Sequence, residues 1–229
     1  MSETGTRAAP ETASSDTDAI EIEVPVEGGV LRGRLDLPPH APGLVLFAHG
    51  SGSSRLSPRN RAVADLLNAG GFGTLLFDLL TEREDAVDRH TAEYRFDIPL
   101  LTRRLVDAID WALSDPRTRA LRIGLFGAST GAAAALGAAA ARPFAVQALV
   151  ARGGRPDLAG EALSDVCQPV LLIVGALDTT VLGLNRDVAS QMPVPPRIEV
   201  IPGASHLFEE PGTQARMAEL ALSWLREHL

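Results

Sequence analysis

The feature that most constrains this chain is a rhythm. Short, continuous apolar runs each end in a loop of glycine, serine or charged residues, and helix-length segments lie between them. The runs are Gly43–His49, Phe72–Leu80, Leu121–Ala128, Phe144–Ala151, Pro169–Ala176 and Arg197–Gly203. An apolar run of this length suits a strand covered on both faces, which is a property of parallel sheets. Of the intervening segments, Ser57–Gly71 offers a serine N-cap, a proline in the first turn and glycine at the end. Ile98–Ser114 follows Asp97 as N-cap, and Thr213–Leu229 is an amphipathic helix. Ala19–Val26 and Val30–Pro38 alternate at period two around Gly28-Gly29, so they read as an antiparallel hairpin at a sheet edge. Thr81–Phe96 reads as a polar connection. The rhythm predicts a three-layer α/β/α sandwich built on a mostly parallel, doubly wound sheet, as one domain over residues 19–229. Right-handed crossovers then bring ligand chemistry to the carboxyl ends of the strands.

Composition removes several classes of function. The chain has 229 residues, is 45% hydrophobic and carries a net charge of −8. It has no basic run, which argues against nucleic acid as a partner. It contains no lysine, so all 21 permanently cationic side chains are arginine; with the abundant alanine, glycine and proline, this reads as the imprint of a GC-rich genome. One cysteine, Cys167, allows no intrachain disulfide and no paired-cysteine metal site. No apolar run approaches the roughly 18–20 residues of a membrane helix. The first 18 residues are polar and lack the apolar core of a signal peptide. The expectation is a disordered tail at residues 1–18 and a cytoplasmic protein that needs no metal or cofactor.

The loops after the strands carry the chemistry. Gly127-Ala128-Ser129-Thr130-Gly131 places one hydroxyl between two glycines, directly after an apolar strand and directly before a helix of small residues. That is the context of a nucleophile elbow, in which a strained turn exposes the serine oxygen and neighbouring backbone passes too close for larger side chains. The pentapeptide alone is a weak signal; its setting strengthens it. A phosphate loop would need Gly-Lys-Ser/Thr and is excluded by the absence of lysine. Asp178, directly after Pro169–Ala176, is the candidate acid, with the alternative of a helix N-cap; Asp157 competes for the role. His206, between the last strand and the last helix, is the candidate base. His40, His90 and His228 read as surface residues. The order Ser…Asp…His is the one this elbow calls for. The backbone N–H groups of Thr130 and Ser51 are the candidate oxyanion donors, Ser51 from the small, glycine-bearing loop after His49. His49 itself is expected to serve the shape of that loop.

Here the sequence resembles the α/β-hydrolase superfamily, in its small dienelactone hydrolase-like branch. The blocks that carry the resemblance are FAHGSGSSRLSPRNRAVA, LLFDLLTEREDAVDRHTAEYRFDI, GLFGASTGAAAAL, ARGGRPDLAG, LLIVGALDTTV and GASHLFEEPG. They extend from roughly Ile20 to Leu229. The resemblance implies a hydrolase; dienelactone hydrolases proper use cysteine where Ser129 stands, which moves the reading toward a serine esterase. Its substrate is expected to be a small-molecule carboxylic ester, thioester or lactone, cleaved through an acyl-enzyme by a monomer or homodimer with no nucleic-acid or membrane partner. The alternatives are a non-catalytic ligand-binding protein on this scaffold, or an acyltransferase using the same triad. Arg55, Arg152 and Arg155 fall at the rim of the expected pocket. Each is a candidate either for a substrate anion or for a structural ion pair, with Glu82–Asp88 or Asp157 as partner. Residues 152–168 are too few for a large helical cap, so the site is expected to be open and suited to short or polar acyl groups.

Overall fold

The computed structural model describes residues 19–229, so the expected tail at residues 1–18 lies outside the described residues. The chain begins with a hairpin, β1 (Ile20–Val26) and β2 (Gly29–Asp36), turning at Gly28, whose φ is 85°. The apolar runs become β3 (Gly43–Ala48), β4 (Gly73–Phe77), β5 (Arg122–Ala128), β6 (Val146–Arg152), β7 (Val170–Gly175) and β8 (Arg197–Ile201). Together the eight strands form one sheet in the order β1-β2-β4-β3-β5-β6-β7-β8. β1 and β2, and β2 and β4, pair antiparallel; every other pair is parallel. The central strands are buried along nearly their whole length, which is why their sequences show no alternation. β8 pairs only with β7 among the described residues and is largely exposed, so it carries Arg197 and Glu199.

Helices cover both faces. α1 (Pro58–Ala69) and α6 (Thr213–His228) pack on one side over Phe47, Phe126, Val150 and Ile173. The Phe47 and Phe126 rings lie 4.9 Å apart between centroids. α3 (Ile98–Ser114), α4 (Thr130–Ala141) and α5 (Thr179–Ala189) take the other side, over Leu46, Leu125 and Leu172. Burying each such leucine or phenylalanine stabilises the fold by about 1.5–3 kcal/mol. The capping residues act where the sequence suggests: Ser57 Oγ accepts from the Asn60 N–H, and Asp97 from the Leu100 N–H at 2.9 Å. The three-layer architecture is the one expected from the strand rhythm, and the lack of a large cap is the one expected from the short span of residues 152–168. Residues 156–165 form only a 3-10 segment where a lid would have to rise.

One element departs from the sequence reading. The polar connection contains a helix, α2 (Glu82–Thr91), opened by a reciprocal capping box. Thr81 Oγ1 accepts from the Glu84 N–H at 3.3 Å, and the Glu84 carboxylate accepts from the Thr81 N–H at 2.8 Å. The Thr-x-x-Glu signature is in the sequence. That signature alone does not announce a helix here, because α2 is short and polar, buries only Asp88 and so has no apolar periodicity.

The small residues of α4 are required by where it sits. The helix is buried on almost every side and carries no charge. At Gly131 a Cβ would collide with the Ala48 carbonyl oxygen and lie 2.5 Å from that of His49. By contrast, Gly183 in α5 faces open space. Gly131→Ala is therefore expected to destabilise the protein by about 1–3 kcal/mol through overpacking. Gly183→Ala should stabilise it by about 0.5–1 kcal/mol through backbone entropy. Denaturant melts of the two variants check the pair, and equal losses would contradict this account of α4.

Candidate active site

A single residue, Ser129, joins β5 to α4. Its φ of 50° and ψ of −119° are sparsely populated for a residue with a Cβ and cost on the order of 1–3 kcal/mol. Three backbone hydrogen bonds hold it there. The Ser129 N–H donates to the Arg152 carbonyl at 3.2 Å, and the Ser129 carbonyl accepts from the Ala132 and Arg155 N–H groups, both at 3.1 Å. The turn also needs Gly127, where a Cβ would lie 2.5 Å from the Ala132 Cα.

Asp178 begins α5 in the N-cap position, yet its side chain caps nothing. Instead its Oδ2 lies 2.6 Å from His206 Nδ1. Nδ1–H donates to the carboxylate, which leaves Nε2 as the basic nitrogen of the neutral ring. The competing acid, Asp157, is taken up by a two-pronged pair with Arg155, at 2.9 and 2.7 Å. The His206 ring rests against Gly153, whose φ is 51°; a Cβ there would lie 3.4 Å from Nδ1 and Cε1. Gly153 follows Arg152, whose carbonyl receives the Ser129 N–H, so the nucleophile candidate and the base candidate both adjoin one dipeptide. The loop that carries His206 is tied on its far side. The Ser205 N–H donates to the Glu210 carboxylate at 3.0 Å, and hydrogen bonding from Ser205 holds that carboxyl below its ordinary range.

The candidate oxyanion loop is shaped from below by His49. Nδ1–H donates to the Gly50 carbonyl at 3.0 Å, and Nε2 accepts from the Leu79 N–H at 3.1 Å. Because an amide N–H can only donate, the Leu79 contact fixes the tautomer. Burial pushes the His49 pKa down, against the pull of the Gly50 carbonyl. Above it, Ser53 N–H bonds to the Gly50 carbonyl at 3.1 Å and closes a tight turn around exposed Ser51. Thr130 lies on the other side at the first position of α4; its backbone is buried, and its Oγ1 has no hydrogen-bond partner among the described residues. A cavity of about 610 Å³ opens beside these two residues, and Leu56, Arg59 and Arg95 help to line it.

The three rim arginines have different surroundings. Arg55 is paired with Asp78, through its backbone N–H at 2.8 Å and Nη1 at 2.6 Å; the acidic stretch of α2 is not its partner. Arg155 is paired with Asp157, as above. Arg152 has no carboxylate partner among the described residues. Sequence reasoning missed others that line the cavity, Arg59 and Arg95 among them. Arg95 is anchored to buried Asp88 through Nε at 2.7 Å, while Nη1 faces Gly52 in the candidate oxyanion loop. Its only sequence signal was the capping box that starts α2 and thereby places Asp88.

The dienelactone hydrolase family model matches residues 31–228. The chain belongs to the dienelactone hydrolase family. A dienelactone hydrolase structure from Anabaena variabilis superposes with a TM-score of 0.91 at 53% identity, covering 92% of this chain and 98% of that one. A protein of Mycobacterium tuberculosis named putative phosphoribosyl transferase is 50% identical over 219 residues, which is 95% of this chain and 48% of its own length. The chain thus spans about half the length of the curated relatives it matches. More distant structures share the fold. An α/β serine hydrolase without a lid from Xanthomonas campestris has a TM-score of 0.71 at 22% identity, covering 92% of this chain and 95% of that one. Among the described residues, no helix is long and apolar enough to cross a membrane.

The His49 contacts generate a pH prediction. Burial disfavours the charged ring, and a proton on Nε2 would also face the Leu79 N–H, so the folded pKa lies below the ordinary 6.5 of the unfolded chain. The unfolded state then binds the extra proton first, and the contribution of His49 is complete above pH 6.5 and is lost as pH falls toward the folded pKa. Urea denaturation of wild type and His49→Gln from pH 8 to 5 measures this: the wild-type advantage should shrink as pH falls. An advantage that is constant or grows toward low pH would contradict the assignment.

Proposed function

We propose that this family member is a serine hydrolase that cleaves small carboxylic esters, thioesters or lactones through an acyl-enzyme. The observation that carries the reading is the 2.6 Å contact between Asp178 and His206 at the same sheet edge as the strained turn of Ser129. In this mechanism His206 Nε2 takes the proton from Ser129 Oγ as the oxygen attacks the acyl carbon. Asp178 holds the tautomer through Nδ1–H and stabilises the imidazolium that forms. The N–H groups of Thr130 and Ser51 receive the developing oxyanion, with the N-terminal dipole of α4 behind them. His206 then returns the proton to the leaving group, and water repeats the sequence on the acyl-enzyme. The missing cap supports short or polar acyl groups over long lipids.

The phosphoribosyl transferase name of the mycobacterial relatives belongs to chains about twice as long. The reading here follows the dienelactone hydrolase family, whose model covers residues 31–228 of this chain.

A fluorophosphonate probe tests the reading: the native protein should form an adduct on Ser129, and Ser129→Ala should not. Folded wild type without an adduct would overturn it. On a short-chain ester panel, Asp178→Asn should lower kcat by roughly 10³–10⁴-fold with KM little changed, since it leaves the ring in the wrong tautomer.

A further inference from the structure

Arg152 is the buried arginine that has no carboxylate partner among the described residues. It ends β6, where the two-residue period that buries Ala148 and Val150 beneath α1 and α6 turns its side chain to the same face. The residue is 6% exposed. Its Nε is buried with no partner, and no carboxylate pairs with it among the described residues. The guanidinium carbon instead lies 5.8 Å from the centre of the Phe208 ring. Such a contact is worth only about 0.5–2 kcal/mol. It falls well short of the several kcal/mol that desolvating an unpaired charge costs.

A second cation sits beside it. Arg59, the second residue of α1, is close enough for its charge to act on Arg152; with burial as the larger cause, this lowers the Arg152 pKa to about 10. Arg59 reaches Glu209 with Nη1 at 3.0 Å, but its own Nε is also buried without a partner. Folding thus brings together two guanidinium groups, Arg152 against Phe208 and Arg59 against the next residue, Glu209, which is the one solvent-exposed carboxylate facing them. Every other buried or half-buried arginine near the sheet edge has its aspartate: Arg55 has Asp78, Arg95 has Asp88 and Arg155 has Asp157.

We infer that Arg152 and Arg59 form a binding site for the oxyanion of a ligand, a carboxylate or a phosphate group. Arg152 supplies the buried charge and Arg59 the second fork. Phe208 and Glu209 both belong to the loop that carries His206. An anion seated here therefore competes with Glu209 for Arg59 and bears on the position of that loop. The inference concerns binding alone and stands whether or not Ser129 is a nucleophile.

The test uses the full chain in an amine-free zwitterionic buffer at constant ionic strength. Sodium phosphate or sodium acetate replaces sodium chloride stepwise, and melting temperature and titration calorimetry are read. The expected result is a saturable rise in Tm with one of the two anions and none with chloride. Phosphate saturating at lower concentration assigns a phosphate group; acetate doing so assigns a carboxylate. Arg152→Met, which keeps the apolar stem, should weaken that affinity by about tenfold or more, the loss expected for one charge-assisted contact. Arg59→Met, on the exposed end of α1, should weaken it by a smaller factor and serves as the second variant if Arg152→Met does not fold. No saturable rise with either anion, or undiminished affinity in Arg59→Met or in a folded Arg152→Met, overturns the site.

Discussion

At Ser129 a residue with a side chain is held in a backbone conformation that ordinarily belongs to glycine, and much of the molecule is arranged to keep it there. The turn is tied through its N–H to β6 and through its carbonyl to α4 and to the Arg155 amide. Those ties require α4 to run close under β3, and the close approach excludes a Cβ at Gly131. The close approach in turn dictates a helix of alanine and glycine, which gains little from side-chain burial and depends on the leucines and phenylalanines of neighbouring strands to fix it. The strain at one residue is thus balanced by packing spread through both layers of the core.

Polar chemistry at the sheet edge obeys a second discipline: apart from Arg152, the buried and half-buried arginines there are paired with carboxylates. Asp78, Asp88 and Asp157 each hold an arginine, and Glu84 is shared between the Thr81 amide and Arg104. Asp178 is the carboxylate diverted to an imidazole, and it gives up helix capping to reach it. A position that is good for a cap is good for this purpose for the same reason: it starts a helix directly above a strand end, with its side chain free to turn toward the neighbouring loop.

Most of the architecture was legible because it rests on patterns that a linear sequence preserves. Continuous apolar runs gave the central strands, Ser57 and Asp97 gave helix starts, and the flanking glycines gave the turn at Ser129. The Asp178–His206 contact followed from strand order, since both residues leave the same end of adjacent strands, β7 and β8. What stayed hidden was pairing among long side chains. Nothing local tells Arg55 to choose Asp78 over the acidic residues of α2, or tells Arg152 that no acid will meet it; those outcomes depend on which way a strand faces and what crosses above it. Helix α2 was hidden for the opposite reason: it is made by a cap and an ion-paired surface, with no apolar stripe to mark it.

The open side of β8 has a consequence of its own. A sheet of this kind ends in a row of unpaired amides and carbonyls, which another chain can extend. Here that row is only five residues long. Pro195-Pro196 stands before it and Pro202 after it, so the backbone cannot continue donating in either direction. Arg197 and Glu199 keep charge along its length. The strand that closes the sheet beside the candidate site is thereby also its guard against strand-to-strand aggregation, which leaves the rest of the sheet free to be as apolar as its core demands.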